Sequence, residues 1–296
     1  MAGLSAARSA TGAVLLVSAL AGFVHAQARE RVLYVTAFDT ASRAPVTGLG
    51  PDAFVVREDG VRREILRVSP ATSRMPVAVI FDNTMAAERT IADLRRSLHG
   101  FVRAIDGLGP IALIGVADRP TIFADYTDLQ RPLEDAINRI FAVPTSGARL
   151  LDAIVEVSRG LARQEADRAA IVVVTTEHTE FSDVHYTQVL RGLEDSGAAL
   201  HVVVLLNPQG SLDRDAARNR AAVLDRGPRE SGGVRFDVLS SMAYEGRLDE
   251  LAALLKSQYR VVYARPEALI PPARVEVSAA RPGLSVHGAP ARGQSR

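Results

Sequence analysis

Phe81-Asp82-Asn-Thr84-Met-Ala86 stands immediately after the short apolar run Val77-Ala-Val-Ile-Phe81. An aspartate at the carboxyl end of a buried parallel strand sits where an open α/β sheet places its ligand contacts. A hard divalent cation there would need about six oxygen ligands, with carboxylates supplying most of the charge. Asp82 offers a carboxylate and Thr84 a hydroxyl. A second cluster, Glu177-His178-Thr-Glu180-Phe-Ser-Asp-Val-His185, has the donor types of a transition-metal or hydrolase site. Its spacing matches no ligand pattern, so the expectation is a solvated loop.

Other candidates carry less. Ser240 and Ser241 stand outside any Gly-x-Ser-x-Gly turn, and no glycine-rich phosphate loop follows the first apolar strand. His201 lies inside an apolar strand and reads as a core residue. His99 reads as helix surface, Asp152 as a residue at a helix start, and Glu134 with Asp135 as a solvated helix face. The 296 residues contain no cysteine, which removes disulfides, thiolate metal sites and cysteine nucleophiles together.

The elements that would position Asp82 follow from hydrophobic periodicity. Apolar runs at 77–81, 111–116, 170–175 and 200–206 read as buried parallel strands. Residues 121–124 read as an edge partner. Between them, apolar residues recur at helical spacing over 87–106, 129–141, 149–164 and 185–195, with a last helix at 248–256. Residues 207–231, rich in Arg, Asp, Gly and Pro, read as a surface excursion, and 233–239 as a last short strand. The flanks are β: 31–38, a hairpin over 53–68 turning at Asp59-Gly60, then 258–263, 273–278 and 284–287. The predicted fold class is therefore α/β, a doubly wound, mostly parallel sheet. A small flanking β-sandwich is formed by the N- and C-terminal segments. The expected division is 27–70 and 258–290 for the sandwich, 76–257 for the α/β unit, and a disordered tail at 291–296.

Residues 1–26 read as a signal peptide. Arg8 precedes the apolar stretch Thr11 to Val24, and Val24-His-Ala26 has the small or aliphatic residues that signal peptidase reads. Cleavage after Ala26 gives a periplasmic or secreted chain with no stable membrane span; retention as an anchor is the alternative. Removing Arg8 with the signal brings the formal charge from +1 to zero. So even a balance provides no field for nucleic acid.

The chain resembles the von Willebrand factor type A family at the residues after its first apolar strand, where that family's metal-ion-dependent adhesion site begins with Asp-x-Ser-x-Ser. The lead-in Gly48-Leu-Gly-Pro-Asp-Ala-Phe-Val-Val-Arg-Glu-Asp-Gly60 resembles that of exported bacterial VWFA-related proteins. Ser257-Gln-Tyr-Arg-Val-Val-Tyr263 and Arg281-Pro-Gly-Leu284 resemble their closing segment. The resemblance implies a binding module, usually for proteins, with no catalytic activity. It also implies a degenerate ligand set: Asp82 and Thr84 retained, Ala86 at the second serine, Ala148 at the threonine and Thr176 at the second aspartate. Thr145 and Glu177 are the nearest residues able to supply a substitute ligand, and Arg149 the nearest able to replace the cation.

The expected function is thus a non-enzymatic, metal-independent module whose partner is another extracytoplasmic protein. No cofactor is expected, residual Mg²⁺ at Asp82 and Thr84 being the alternative. A hydrolase site near 177–185 and a purely structural envelope component are the competing readings.

Overall fold

The computed structural model describes residues 28–144, 146–206, 214–266 and 270–290. The expectations for the signal peptide, Thr145, residues 207–213 and the tail lie outside these residues.

Six strands form the central sheet. They are β5 (Val77–Asp82), β6 (Ile111–Val116), β7 (Pro120–Thr127), β8 (Ala169–Thr176), β9 (Ala198–Leu205) and β10 (Arg235–Val238), in the order β10-β9-β8-β5-β6-β7. All neighbours are parallel except β7, which pairs antiparallel with β6 at the edge. Every residue of β5 is buried, which explains its unbroken apolar run: both faces of a covered sheet must be hydrophobic. Val77, Val79 and Phe81 point into one core with α1 (Ile91–Ala104), α2 (Gln130–Asn138) and α6 (Tyr244–Lys256). Ala78 and Ile80 point into the other with α3 (Leu150–Arg163), α4 (Tyr186–Ser196) and α5 (Arg214–Ser231).

Helix α5 corrects the expectation of a surface excursion. Its buried positions Arg220, Val223, Leu224, Gly227 and Pro228 fall at i, i+3, i+4, i+7 and i+8, one narrow stripe. The remaining residues are mostly charged, and Gly227-Pro228 reads locally as a breaker. Packing against β9 overrides both signals.

The flanks form two small antiparallel sheets. One has the order β13-β1-β11-β4, built from β1 (Ala28–Asp39), β4 (Ile65–Pro70), β11 (Tyr259–Pro266) and β13 (Leu284–Pro290). The other is β12-β2-β3, from β2 (Phe54–Glu58), β3 (Val61–Arg63) and β12 (Val275–Ala279). Between them lies a separate core of Leu33, Val35, Phe54, Val56, Tyr259 and Val261. The single hairpin expected over 53–68 is cut short. Asp59 and Gly60 turn with positive φ as anticipated, but only Val61–Arg63 returns along β2. After Glu64 the chain crosses to the other sheet and pairs with β11.

The sandwich packs on the amino ends of the parallel strands. Arg43 bonds Glu250 on α6 at 2.5 Å and lies over the rings of Phe38 and Phe236. His287 bonds the Gly233 backbone just ahead of β10. The carboxyl ends of the parallel strands therefore stay open on the opposite side.

Candidate functional site

Asp82 ends β5 and is only 5% exposed. Its Oδ1 accepts the Thr84 backbone N–H at 2.9 Å and the Thr84 hydroxyl at 2.7 Å. Its Oδ2 accepts the Thr176 N–H at 3.2 Å and the Thr175 hydroxyl at 3.5 Å, and faces His178 Nε2 at 2.5 Å. Burial pushes the carboxyl pKa up, and this is the largest single effect. The hydrogen bond and charge of His178, with the two Thr84 donors, outweigh it and hold the group below its ordinary value.

The other His178 nitrogen, Nδ1, lies 3.0 Å from the Thr179 carbonyl oxygen. Both ring nitrogens thus face oxygen atoms, and the positive charge of the ring helps to hold Asp82 ionised. The cation beside Asp82 is thus a side chain of the loop after β8. This corrects two expectations. Arg149 does not reach Asp82; it bonds Asp152 at 3.0 Å and Asp183 at 2.8 Å. The 177–185 loop is not simply solvated, because Glu180 is buried and the His178 side chain is only 11% exposed.

Glu180 organises that loop. Its Oε1 accepts the Leu150 N–H at the start of α3 and the Ser182 hydroxyl, and its Oε2 pairs with buried Arg220 from α5 at 3.4 Å. Arg220 also donates to the Thr175 hydroxyl and to the Thr176 carbonyl. A parallel bridge joins Ala148 to Glu180, with the Phe181 N–H donating to the Ala148 carbonyl at 2.7 Å. The Phe181 ring lies on the Gly147 backbone, where a Cβ would push it aside.

The remaining site residues divide. Thr84 and Thr176 converge on Asp82. Ala148 is buried in the bridge, and Ala86 is exposed. The Glu177 N–H donates to the Leu205 carbonyl, extending the β8–β9 ladder. Tyr244, missed in the sequence, sets its hydroxyl beside Thr176 and Thr90; burial is the main cause that takes its phenol up to about 12. Arg220 was also missed, whereas the sequence reading notices His178 and Glu180 but takes them as parts of a solvated loop. The signal for His178 was the requirement that a buried carboxylate have a countercharge, combined with its place in the loop after the strand neighbouring β5. Arg149 had a closer claim on it, Asp152 three residues on.

These residues do not fit a hard divalent cation. Both oxygens of Asp82 are engaged by protein donors, and His178 lies against Oδ2 where the metal's charge is needed. Among the described residues no three His, Asp or Glu side chains gather into a metal cluster. Nor is either imidazole of the loop placed as a base: both nitrogens of His178 are engaged, and His185 caps α4 by accepting from Thr187. The loops of this end also expose large apolar side chains. Met85 follows the Asp82 turn, Phe141 holds Asn83 through its carbonyl, Phe181 lies on Gly147, and Leu239 and Met242 follow β10. All five are exposed, from 46% for Met85 to 87% for Leu239.

No protein-family model and no curated protein matches the chain. Solved structures do match. A von Willebrand factor type A protein from Catenulispora acidiphila superposes with a TM-score of 0.50 at 10% identity, over 89% of this chain and 74% of that one. Proximal thread matrix protein 1 from the mussel byssus gives 0.51 at 12% identity, over 71% of this chain and 50% of that one. The fold is von Willebrand factor A-like. At these identities the likeness concerns the fold alone.

Proposed function

We propose that this chain is an exported, non-enzymatic interaction module that holds another extracytoplasmic protein on the carboxyl-end rim of its parallel sheet, without a divalent cation. The observation that carries this reading is the set of exposed side chains Met85, Phe141, Phe181, Leu239 and Met242, gathered around a carboxylate already neutralised from within the chain. Large apolar groups concentrated on one exposed face mark interaction sites, and Phe and Met are enriched in interface cores. With Asp82 fully engaged, the partner is gripped by apolar contact and not through an ion. Export rests on the signal-like residues 1–26. Among the described residues no helix is long and apolar enough to cross a membrane.

The test is capture from envelope extracts with the mature chain as bait, with and without EDTA, beside titration of Mg²⁺ and Mn²⁺ by calorimetry. One protein retained equally in both conditions, and lost with the Phe181→Ser, Met242→Ser double variant, is the expected result. A one-to-one metal response abolished by Asp82→Ala overturns the metal-free half. Undiminished capture by the double variant overturns the rim.

A further inference from the structure

A groove of about 1060 Å³ opens away from the rim, between α4 and α5 on one side and β12 and β13 on the other. Its helical wall carries Leu190, Arg191, Arg226 and Arg229; its strand wall carries Val275, Val277 and Val286. β13 ends the four-stranded sheet, with β1 on one side of it and, among the described residues, no further strand on the other. Such an edge is a row of unpaired N–H and C=O groups, which proteins normally blunt with charges, prolines or bulges. Residues 284–289 of β13 contain no charged residue and no proline. What protects this edge is its recessed position, since residues 285–288 are only half-exposed.

We propose that the groove is a second binding site, and that its occupant is an extended peptide of a protein partner in which acidic and apolar residues alternate. The peptide adds to the free edge of β13 as a further strand, so main-chain hydrogen bonds supply the affinity. Alternate side chains of a strand point to opposite faces. One set meets Val275, Val277 and Val286, and the other meets the helical wall. That wall carries the guanidiniums of Arg191, Arg226 and Arg229 against the carboxylates of Glu194 and Glu230, an excess of positive charge. Arg191 has no ion-pair partner among the described residues. Arg226 makes an exposed i,i+4 pair with Glu230 and lies over the Tyr186 ring, and Arg229 makes one with Asp225 and also donates to its carbonyl. Such exposed pairs are weak, and the remaining N–H groups of each fork can meet a carboxylate.

The probe is a capped seven-residue peptide of alternating valine and glutamate, titrated into the mature chain and followed by hydrogen exchange. Saturable binding with new protection of the amides of residues 284–288 is expected. Replacing glutamate by lysine, or placing proline at the centre of the peptide, should weaken binding by at least about tenfold. The Arg191→Glu, Arg229→Glu variant should do the same with an unchanged melting temperature. These two side chains are exposed, so folding is not at stake. Equal binding of the lysine peptide, protection at 176–182 instead, or no binding overturns the proposal. So does protection of 284–288 without peptide in a concentration-dependent dimer, which would make a second copy the occupant.

Discussion

A carboxylate buried beneath a binding rim keeps its charge only when something offsets the cost of leaving water. At Asp82 that offset comes from four hydroxyl or backbone donors and the His178 imidazolium, all from within the chain. His178→Ala should therefore destabilise the fold by about 3 kcal/mol at neutral pH, the usual scale for stranding one member of a buried pair. Because the folded pKa of Asp82 is depressed, its contribution is present above the ordinary carboxylate range and disappears as pH falls through the folded value. Without His178 that value rises, so the acid limb of the variant's stability profile should begin at higher pH. Urea midpoints between pH 3 and 8 check this, and superimposable acid limbs would sink it. His201, buried in its neutral form, also costs stability as pH falls, in a higher range. Burial, with a smaller contribution from His287, takes it from 6.5 to about 3, so the unfolded chain binds the proton first. Stability should fall as pH drops from 6.5 towards 3, by at most about 1.4 kcal/mol per pH unit. His201→Leu should flatten that decline, losing at pH 7 about 1–2 kcal/mol because the Val234 N–H no longer has an acceptor. An unchanged slope would show that His201 is not the group responsible.

Among the elements, the strands β5, β6, β8 and β9 were the most legible, because a strand covered on both faces must be apolar throughout and little else in a soluble chain is. The pairing of the two flanks followed from their order around the α/β unit. Helix α5 was not legible, since its buried stripe includes an arginine, a glycine and a proline, all of which count against a core helix until Glu180 and β9 are in place. At the site, Asp82, Thr84 and Thr176 could be read from their positions at strand ends. The loop that completes the site could not, because a solvated His-Glu run and a buried one have the same composition. Only the Ala148–Glu180 bridge and the Arg220 pair separate the two cases. That bridge makes a prediction of its own. Gly147→Ala forces the Phe181 ring off the backbone beneath it while leaving the buried network of Glu180 intact. Partner capture should weaken by about tenfold or more, as for loss of an interface anchor, and stability should change by less than about 1 kcal/mol. A large fall in melting temperature with capture intact would place Phe181 in the folding core and not in the interface.

Across the whole molecule, the rim can be left exposed because the sandwich is fixed to the opposite end of the sheet, and one side chain does much of that fixing. Arg168 stands just before β8 and is 5% exposed. Its Nε donates to the Ser73 carbonyl and an NH2 to the Ala71 carbonyl, both in the linker that leaves the sandwich. The remaining NH1 donates to Gln258 Oε1, where the chain re-enters it, and the guanidinium lies over the Tyr34 ring. Both crossings between the units are thus held by one planar group, with the Arg43 contacts as a second, more exposed attachment. Burial draws the Arg168 pKa down from its ordinary value, and its acceptors Ser73, Ala71 and Gln258 are all neutral, so the charge is tolerated through neutral hydrogen bonds and the Tyr34 ring. Arg168→Ala should cost about 3 kcal/mol, since it leaves three acceptors without their donor. Lysine should recover less than half, having a single point charge in place of the fork. The more telling readout is cooperativity. Scanning calorimetry of the native chain should show one endotherm, and Arg168→Ala should divide it into two as the sandwich and the α/β unit begin to melt separately. One undivided endotherm at a lower temperature would mean that the Arg43, Phe38 and Phe236 contact, and not Arg168, couples the two halves.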